Sequence, residues 1–425
     1  MNIAVLGGGV AGLTAAYYSA KKGHSVTLFE KSAALGGLAA GFKAPLWQWA
    51  LEKTYHHLFT SDTDILELAA EIGFKGIFFK SPSTASLYEV RAGENSILKQ
   101  YPFSTPFDLM RFPLLSFTDK TRMAAVMAFL KVSPFLSFYE KETAHDFLKK
   151  TMGKNVWDII WEELFRKKFG KYAENIVAAF IWSRIKKRSA QLGYIEGGFQ
   201  CFVNFLSKRC EELGVLIRKN CSIERVEKRR KGFIMNEQVY DTVISTLPTP
   251  IMKSITKDLF PHWYLTQLSR LSYLHAVNLI IASKKALLDT TYWLNIEAQS
   301  FPATVIVQHT NFVDKKHYGD EHITYIGNYN DEKNPLMKMT KNEVLSYFLP
   351  HISRISPAFH KEVVRTYLFK GPFAQPVFDK TFLKNKPQME TPVKGFFVAN
   401  LDMTYPHDRG TTYAVKWGRA VTKLF

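Results

Sequence analysis

Cysteine is scarce in this chain, with Cys201, Cys210 and Cys221 the only three among 425 residues. They lack the paired spacing that holds zinc and are too few for a disulfide framework, so reduced thiols in a cytoplasmic setting are expected. No motif suggests a metal. Long apolar runs are missing as well. The nearest, Met123 to Phe138, is interrupted by Lys131 and Pro134, short of the roughly 20 apolar residues a spanning helix needs. Met1-Asn2 leads straight into an apolar strand with no basic segment or cleavage site, and no signal peptide is expected. Acidic residues are in deficit: 38 Asp plus Glu against 56 Lys plus Arg give a formal charge of +18. Such an excess attracts anions. No nucleic-acid module is visible, which favours a membrane face or a small anionic ligand over DNA or RNA. Hydrophobic residues make up 46% of the chain and charged ones 22%, enough for a large core spread over two or three domains.

The first thirty residues carry the strongest local signal. Asn2 to Leu6 is an apolar run suited to a buried parallel strand. Gly7-Gly8-Gly9-Val10-Ala11-Gly12 follows, then a helical stretch from Leu13 to Lys22, a stop at Gly23-His24, and a second strand, Ser25 to Phe29, ending at Glu30. This is the strand, G-x-G-x-x-G, helix, strand, acid order of a dinucleotide-binding unit. Gly7 permits the turn, Gly9 admits a pyrophosphate to backbone N–H groups, and Gly12 lets helix and strand pack closely. Val10 and Ala11 open the helix whose N-terminus faces the charge. Glu30 suits ribose hydroxyls and disfavours a 2′-phosphate. These residues alone leave NAD and FAD both open.

Leu35-Gly36-Gly37-Leu38 comes soon after the acid. With it the chain resembles the flavin amine oxidase, protoporphyrinogen oxidase and phytoene desaturase superfamily, whose first unit is extended by a "GG" segment along the FAD pyrophosphate. Leu38 stands where the family usually has Arg; Lys31, Lys43 and Arg409 are the cations available to replace it. The likeness continues through Gly193 to Phe199, the helix Cys201 to Leu213, the strand Gly214 to Ile217, and the strands Ser222 to Lys228 and Asp241 to Pro248. It closes with the strand Gly395 to Asp402 and a last helix, Thr411 to Leu424. Tyr55 to Phe59, Lys168-Phe169-Gly170 and Tyr405 to Gly410 resemble a bacterial protoporphyrinogen-oxidase-like branch of NAD(P)/FAD-dependent oxidoreductases. The resemblance implies an α/β fold: a discontinuous Rossmann-like FAD-binding domain with an inserted substrate domain of mixed sheet plus helices. It implies FAD contacts at Gly7, Gly9, Val10, Ala11, Gly12, Glu30, Lys31, Gly36, Gly37, Leu38 and Val226, and at Asp402, Gly410, Thr411 and Thr412 in the closing unit. No cysteine follows Cys221, so FAD is expected to be non-covalent.

The expected division is 1–60, 191–250 and 386–425 for the FAD-binding domain, 61–190 for a mostly helical insertion, and 251–385 for a substrate-domain sheet with helices. Helices are expected at Asp64–Ile72, Lys120–Leu130, Glu142–Thr151, Val156–Lys168, Ala173–Lys187 and Lys341–Phe348. Strands are expected at Ala276–Ile281, Thr304–Gln308, Ile323–Tyr329 and Val363–Phe369, with Ala374-Gln375-Pro376 a loop beyond the last. Candidate catalytic groups are His56 and His57, close after the first FAD unit, and Tyr405, before the last helix. A histidine would move a proton. Removal of hydride from a bulky, largely apolar substrate (isoprenoid, porphyrinogen or amine-like) is the expected activity. The alternatives are a non-redox flavoenzyme resembling UDP-galactopyranose mutase, with Arg184 to Arg188 clamping a diphosphate, and a non-catalytic FAD-binding protein. The apolar stretches Phe103–Phe117 and Met123–Phe138, beside Lys120, Arg122 and Lys131, are expected to touch an anionic membrane peripherally.

Overall fold

The computed structural model describes residues 1–230 and 232–425. Asn2–Leu6 is the middle strand of a parallel sheet, and Ile3, Ala4 and Val5 are wholly buried. A parallel strand covered by helices on both faces needs such a continuous apolar run. Ser25–Phe29 and Thr242–Ser245 flank it, and Leu216–Arg218 and Phe396–Val398 form the edges. These strands come from three distant stretches of chain, so the nucleotide-binding unit is discontinuous. The first helix, Val10–Lys21, packs against both Phe199–Glu212 and the last helix, Thr411–Val421. The stretch Ser222 to Val226, expected as part of a strand, is irregular; pairing begins at Glu227–Arg229.

A second, mixed sheet has the strand order Val363–Pro376, Tyr273–Ser283, His322–Asn330, Val305–Gln308, Thr291–Ile296, Ser83–Ala92 and Asn95–Pro102. Neighbours are antiparallel except Thr291–Ile296 with Ser83–Ala92. Its last two strands correct the expectation of a mostly helical 61–190 segment. They form a hairpin closing at Gly93, which adopts φ +63°, and a glycine-containing turn between β-branched and aromatic runs was a legible hairpin signal. The expected loop Ala374-Gln375-Pro376 is instead the end of a strand that runs on from Val363. Gln375 pairs with Leu274 and is wholly buried.

Helices make up most of the remainder of that segment, beside the short strand Ile77–Lys80. Thr63–Ile72, Phe117–Val132 and Ala144–Met152 lie within a few residues of expectation. The single helix expected at 156–168 is broken into Lys154–Val156, a π-type turn at Trp157–Trp161, and Glu162–Phe169. The next begins at Ala178 rather than Ala173, because Ile176 and Val177 are drawn into bridges with Asp379 and Thr143. Tertiary pairing overrides helix propensity there.

Glu52 joins the two halves of the molecule. It is wholly buried; its carboxylate accepts from Phe199 N–H at 2.7 Å and Tyr194 O–H at 2.6 Å, and its backbone carbonyl accepts from Tyr325 O–H at 2.7 Å. Burial pushes its carboxyl up to about 7. That lies above the ordinary ~4.3, so the unfolded chain loses this proton first and stability falls as pH rises through that window. Glu52→Gln keeps an acceptor for Phe199 and cannot ionise. Thermal melts at about pH 4.5 and about pH 7.5 should show a smaller decline for the variant than for wild type. Parallel declines would remove Glu52 from the account.

Candidate functional site

At the C-terminal ends of the parallel strands the two glycine segments form one backbone cradle. Gly36 N–H donates to Gly8 O at 2.8 Å, and Gly9 pairs with Gly36 in a parallel bridge. Gly36 sits at φ +119°, a conformation that favours glycine. A Cβ on Gly12 would fall 1.9 Å from Gly7 O, whereas one on Gly9 would meet nothing nearer than Gly37 Cα at 3.8 Å. Gly12 therefore seals the helix against the turn, and Gly9 leaves a face open. The first helix has no side-chain cap and no acid in its first turn, so its terminal N–H groups at Val10, Ala11 and Gly12 present an uncompensated positive end. Glu30 is held at the edge of the cradle by Gly8 N–H and Ser32 N–H, both at 2.8 Å.

The last helix repeats the arrangement. Gly410-Thr411-Thr412 opens it without a side-chain cap or an acid. Thr411 Oγ1 is buried with no partner, as is Ser245 Oγ at a strand end. Thr412 Oγ1 accepts from Ile65 N–H at 3.4 Å. Two uncapped helix N-termini, a cradle clear of side chains and orphaned hydroxyls suit a pyrophosphate joined to a hydrogen-bonding ring.

Beside this lies a half-buried charge cluster. Asp408 accepts from Lys168 Nζ at 2.7 Å, pairs with Arg184 and takes Arg409 N–H at 3.1 Å. Desolvation would raise its carboxyl, but Lys168 and Arg184 outweigh it and hold Asp408 below the usual carboxylate range. Burial pulls the Lys168 ammonium down to about 8 even against Asp408. The Arg409 guanidinium lies over the Tyr329 ring, 5.3 Å from its centroid, and its Nη1 is buried without a partner.

His56 and His57 are brought to this cluster. His56 Nδ1 donates to Thr54 O at 2.5 Å, and Thr54 is itself held by Asn278 Nδ2 at 3.1 Å. His57 packs edge-on against Trp293 at 5.6 Å and Phe59 at 5.3 Å, and its Nδ1 has no partner. Desolvation, with Arg409 next, pulls His56 down to about 3; desolvation, with Arg188 and Arg184 next, pulls His57 down to about 4. Burial thus favours the neutral form of both imidazoles at pH 7 and weakens them as bases. Between them and the sheet stands Tyr55, whose phenol burial and then Tyr329 push well above its ordinary value. A Cβ on Gly327 would lie 2.6 Å from the Tyr55 ring. A glycine inside a central strand marks such an approach, and that signal was available in the sequence.

Other expected site residues are placed differently. Tyr405 is turned away: its hydroxyl donates to Glu140 at 2.9 Å and its ring packs on Phe378 and Phe382. Asp402 accepts from Thr249 O–H at 2.5 Å and Tyr273 O–H at 2.9 Å with one oxygen; the other is buried without a partner. Val226 N–H is spent on Ile255 O at 2.9 Å, so an adenine contact through that amide is already taken. Lys31 is exposed. Leu38 faces Gly371 of the mixed sheet, and Arg409 lies over Tyr329. Lys168 and Asp408 lie in motifs the sequence offered and Arg184 in the expected diphosphate clamp, but their convergence was not foreseen, and Tyr329 was not singled out.

A glycine cradle on a parallel sheet, joined to a mixed sheet that carries an aromatic wall, defines a dinucleotide-dependent oxidoreductase. The chain belongs to the flavin containing amine oxidoreductase family, whose family model matches residues 10–408. It is an FAD-dependent enzyme of that family. Among solved structures it is similar to a candidate protoporphyrinogen oxidase from Exiguobacterium sp. 255-15, with TM-score 0.75 and 15% identity over 100% of this chain and 98% of the other. It is also similar to a reduced UDP-galactopyranose mutase, with TM-score 0.74 and 13% identity over 99% and 94%. At these identities the likeness is one of fold. A carotenoid phi-ring synthase from Chlorobaculum tepidum is 30% identical over 135 residues, which are 31% of this chain and 20% of that protein.

Proposed function

We propose that the protein removes hydride from a carbon of a bulky, largely apolar substrate of isoprenoid or porphyrinogen type and holds FAD non-covalently. Bound FAD supplies the hydride-accepting ring. The cradle at Gly7 to Gly12 and Gly36-Gly37 would hold its pyrophosphate, Glu30 its ribose, and Gly410-Thr411-Thr412 with Arg409 its ring end. The observation that carries the substrate reading is the character of the wall beside His57. Tyr55 and Trp293 meet edge-on at 5.2 Å, His57 stands against Trp293, and the histidines are neutral. These side chains exclude water and orient an apolar surface, and none is a strong base at neutral pH. Three cations of the Arg184 to Arg188 stretch are already engaged: Arg184 with Asp408, Lys186 with Ser133 O, and Lys187 with Ser61 O. That engagement weighs against a diphosphate clamp.

The test has two stages. Boiling should release a supernatant absorbing near ~450 nm, the mark of non-covalent flavin. Anaerobic titration should then bleach that band with a polyisoprenoid or porphyrinogen and leave it unchanged with small primary amines. Bleaching by small amines alone, or isomerisation of a sugar nucleotide without electron transfer, would overturn the reading.

A further inference from the structure

The helix Phe117–Val132 turns an apolar face to the outside. Met123 and Leu130 are its buried residues. On the exposed side stand Ala124, Ala125, Ala128, Phe129 and Val132, which follow the i, i+1, i+4, i+5, i+8 spacing of a single stripe. A surface helix normally points such a stripe at the core and a polar face at water. The strip continues past Pro134, where Phe135 and Phe138 protrude. From Phe129 to Phe138 the large apolar side chains at its crest are between 50% (Phe138) and 74% (Val132) exposed. Between Arg122 and Glu140 the only charged residue is Lys131. An exposed patch of this size and continuity marks a contact surface.

The border of the strip is basic. Lys120 and Arg122 stand at one end, and Arg122 donates to the carbonyls of Lys150 and Thr151, which brings Lys149 and Lys150 alongside. Asp119, the acid on this edge, is taken up by Ser116 and Asn155. A second copy seated here would bring like charges together. Anionic headgroups would neutralise them, and among the described residues no helix is long and apolar enough to cross a membrane. We propose that this face docks in the plane of an anionic lipid bilayer, with Phe129, Val132, Phe135 and Phe138 entering the interface and the lysines and arginines on headgroups.

The surface is coupled to the site through one helix. On Ala178–Lys187, Trp182 Nε1 and Lys186 Nζ donate to Ser133 O at 3.0 and 2.7 Å, while Ser183 O–H donates to Pro406 O at 2.7 Å and Arg184 holds Asp408. Docking therefore sets the bilayer one helix away from the loop that carries Asp408 and Arg409. Delivery of an apolar substrate from the bilayer rests on the function proposed above; docking itself does not.

The test is co-sedimentation of the flavin-loaded protein with vesicles of phosphatidylcholine alone or mixed with phosphatidylglycerol. The protein should pellet with the mixed vesicles and less so as salt is raised. Phe129→Ser/Phe135→Ser should weaken that binding at least ~10-fold, with melting temperature and flavin spectrum unchanged. A single Phe135→Trp variant should show blue-shifted emission with the mixed vesicles, which keeps the test open if the double variant misfolds. The proposal is overturned if wild type stays in the supernatant, if the double variant pellets as well as wild type, or if emission from Phe135→Trp does not move. A concentration-dependent dimer dissolved by the double variant, without vesicle binding, would assign the face to a second copy. Anaerobic bleaching by a detergent-dispersed substrate reads the function separately.

Discussion

Gly12→Ala is expected to yield a colourless protein. The added Cβ would fall 1.9 Å from Gly7 O, far inside the 3.0 Å that such contacts essentially never breach. The obstacle is backbone, and it has little room to move. Gly7 N–H is tied to Phe29 O at 2.8 Å, and Thr246 N–H and Oγ1 both hold Leu6 O at 2.9 Å. Relief requires the first helix to lift from the turn, which displaces the N–H groups of Val10 and Ala11 from the cradle. Overpacking of this kind costs about 1–3 kcal/mol in stability. The larger effect falls on the cofactor, because the phosphate contacts proposed for this helix end would all depend on the same backbone. A loss of FAD affinity of at least ~100-fold is expected, read from the ratio of flavin to protein absorbance and from titration of FAD into apo-protein.

Gly9→Ala separates the cofactor from the fold. Its backbone is in the ordinary extended region, at φ −72°, and its Cβ would have no neighbour closer than 3.8 Å. The apo-protein should melt with wild type yet lose much of the extra stability that added FAD confers. Wild-type flavin content in Gly12→Ala would show that the turn does not carry the pyrophosphate.

The contrast between these glycines also shows what the sequence made legible. Strand, turn, helix and acid lie within thirty residues, so their spacing encodes a local geometry that can be read without the remainder of the chain. The closing helix was legible for the same reason, through Gly410-Thr411-Thr412. The charge cluster was not. Lys168 and Asp408 are 240 residues apart, and Arg184 and Asp408 are 224 apart; nothing in local periodicity brings them together. The partner of Tyr405 was not legible either, because a polar aromatic on a loop beside the last helix can turn to either side, and Glu140, 265 residues away, takes its hydroxyl. The Ser83–Pro102 hairpin was hidden by polar residues on its outer face, although Gly93 announced its turn.

Asp408→Asn is expected to cost stability and to disorder the loop before the last helix. Lys168 and Arg184 converge on this one carboxylate, Arg409 gives it a backbone N–H, and Lys168 is boxed in by the Phe180 ring at 5.0 Å and the Tyr329 ring at 5.3 Å. The amide is neutral and leaves Lys168 and Arg184 facing one another without a counter-ion. Removing one partner of a buried pair typically costs about 3–5 kcal/mol. The carboxylate keeps 22% of its side-chain surface and Arg184 keeps 43%, so the lower end, about 3 kcal/mol, is the expected value. The pH dependence has a definite sign. Asp408 titrates lower in the folded protein than in the unfolded chain, so its contribution is full above its ordinary ~3.9 and is lost only as pH falls through the depressed value. The gap between wild type and variant should therefore hold steady at neutral pH and close only in acid. Lys168→Met on top of Asp408→Asn should recover much of the loss, because the apolar chain fits the aromatic box and no longer needs a counter-ion. If the double variant is no more stable than Asp408→Asn, the Lys168 ammonium is not what the carboxylate holds in check, and the loop is secured by Arg184 and Arg409 alone.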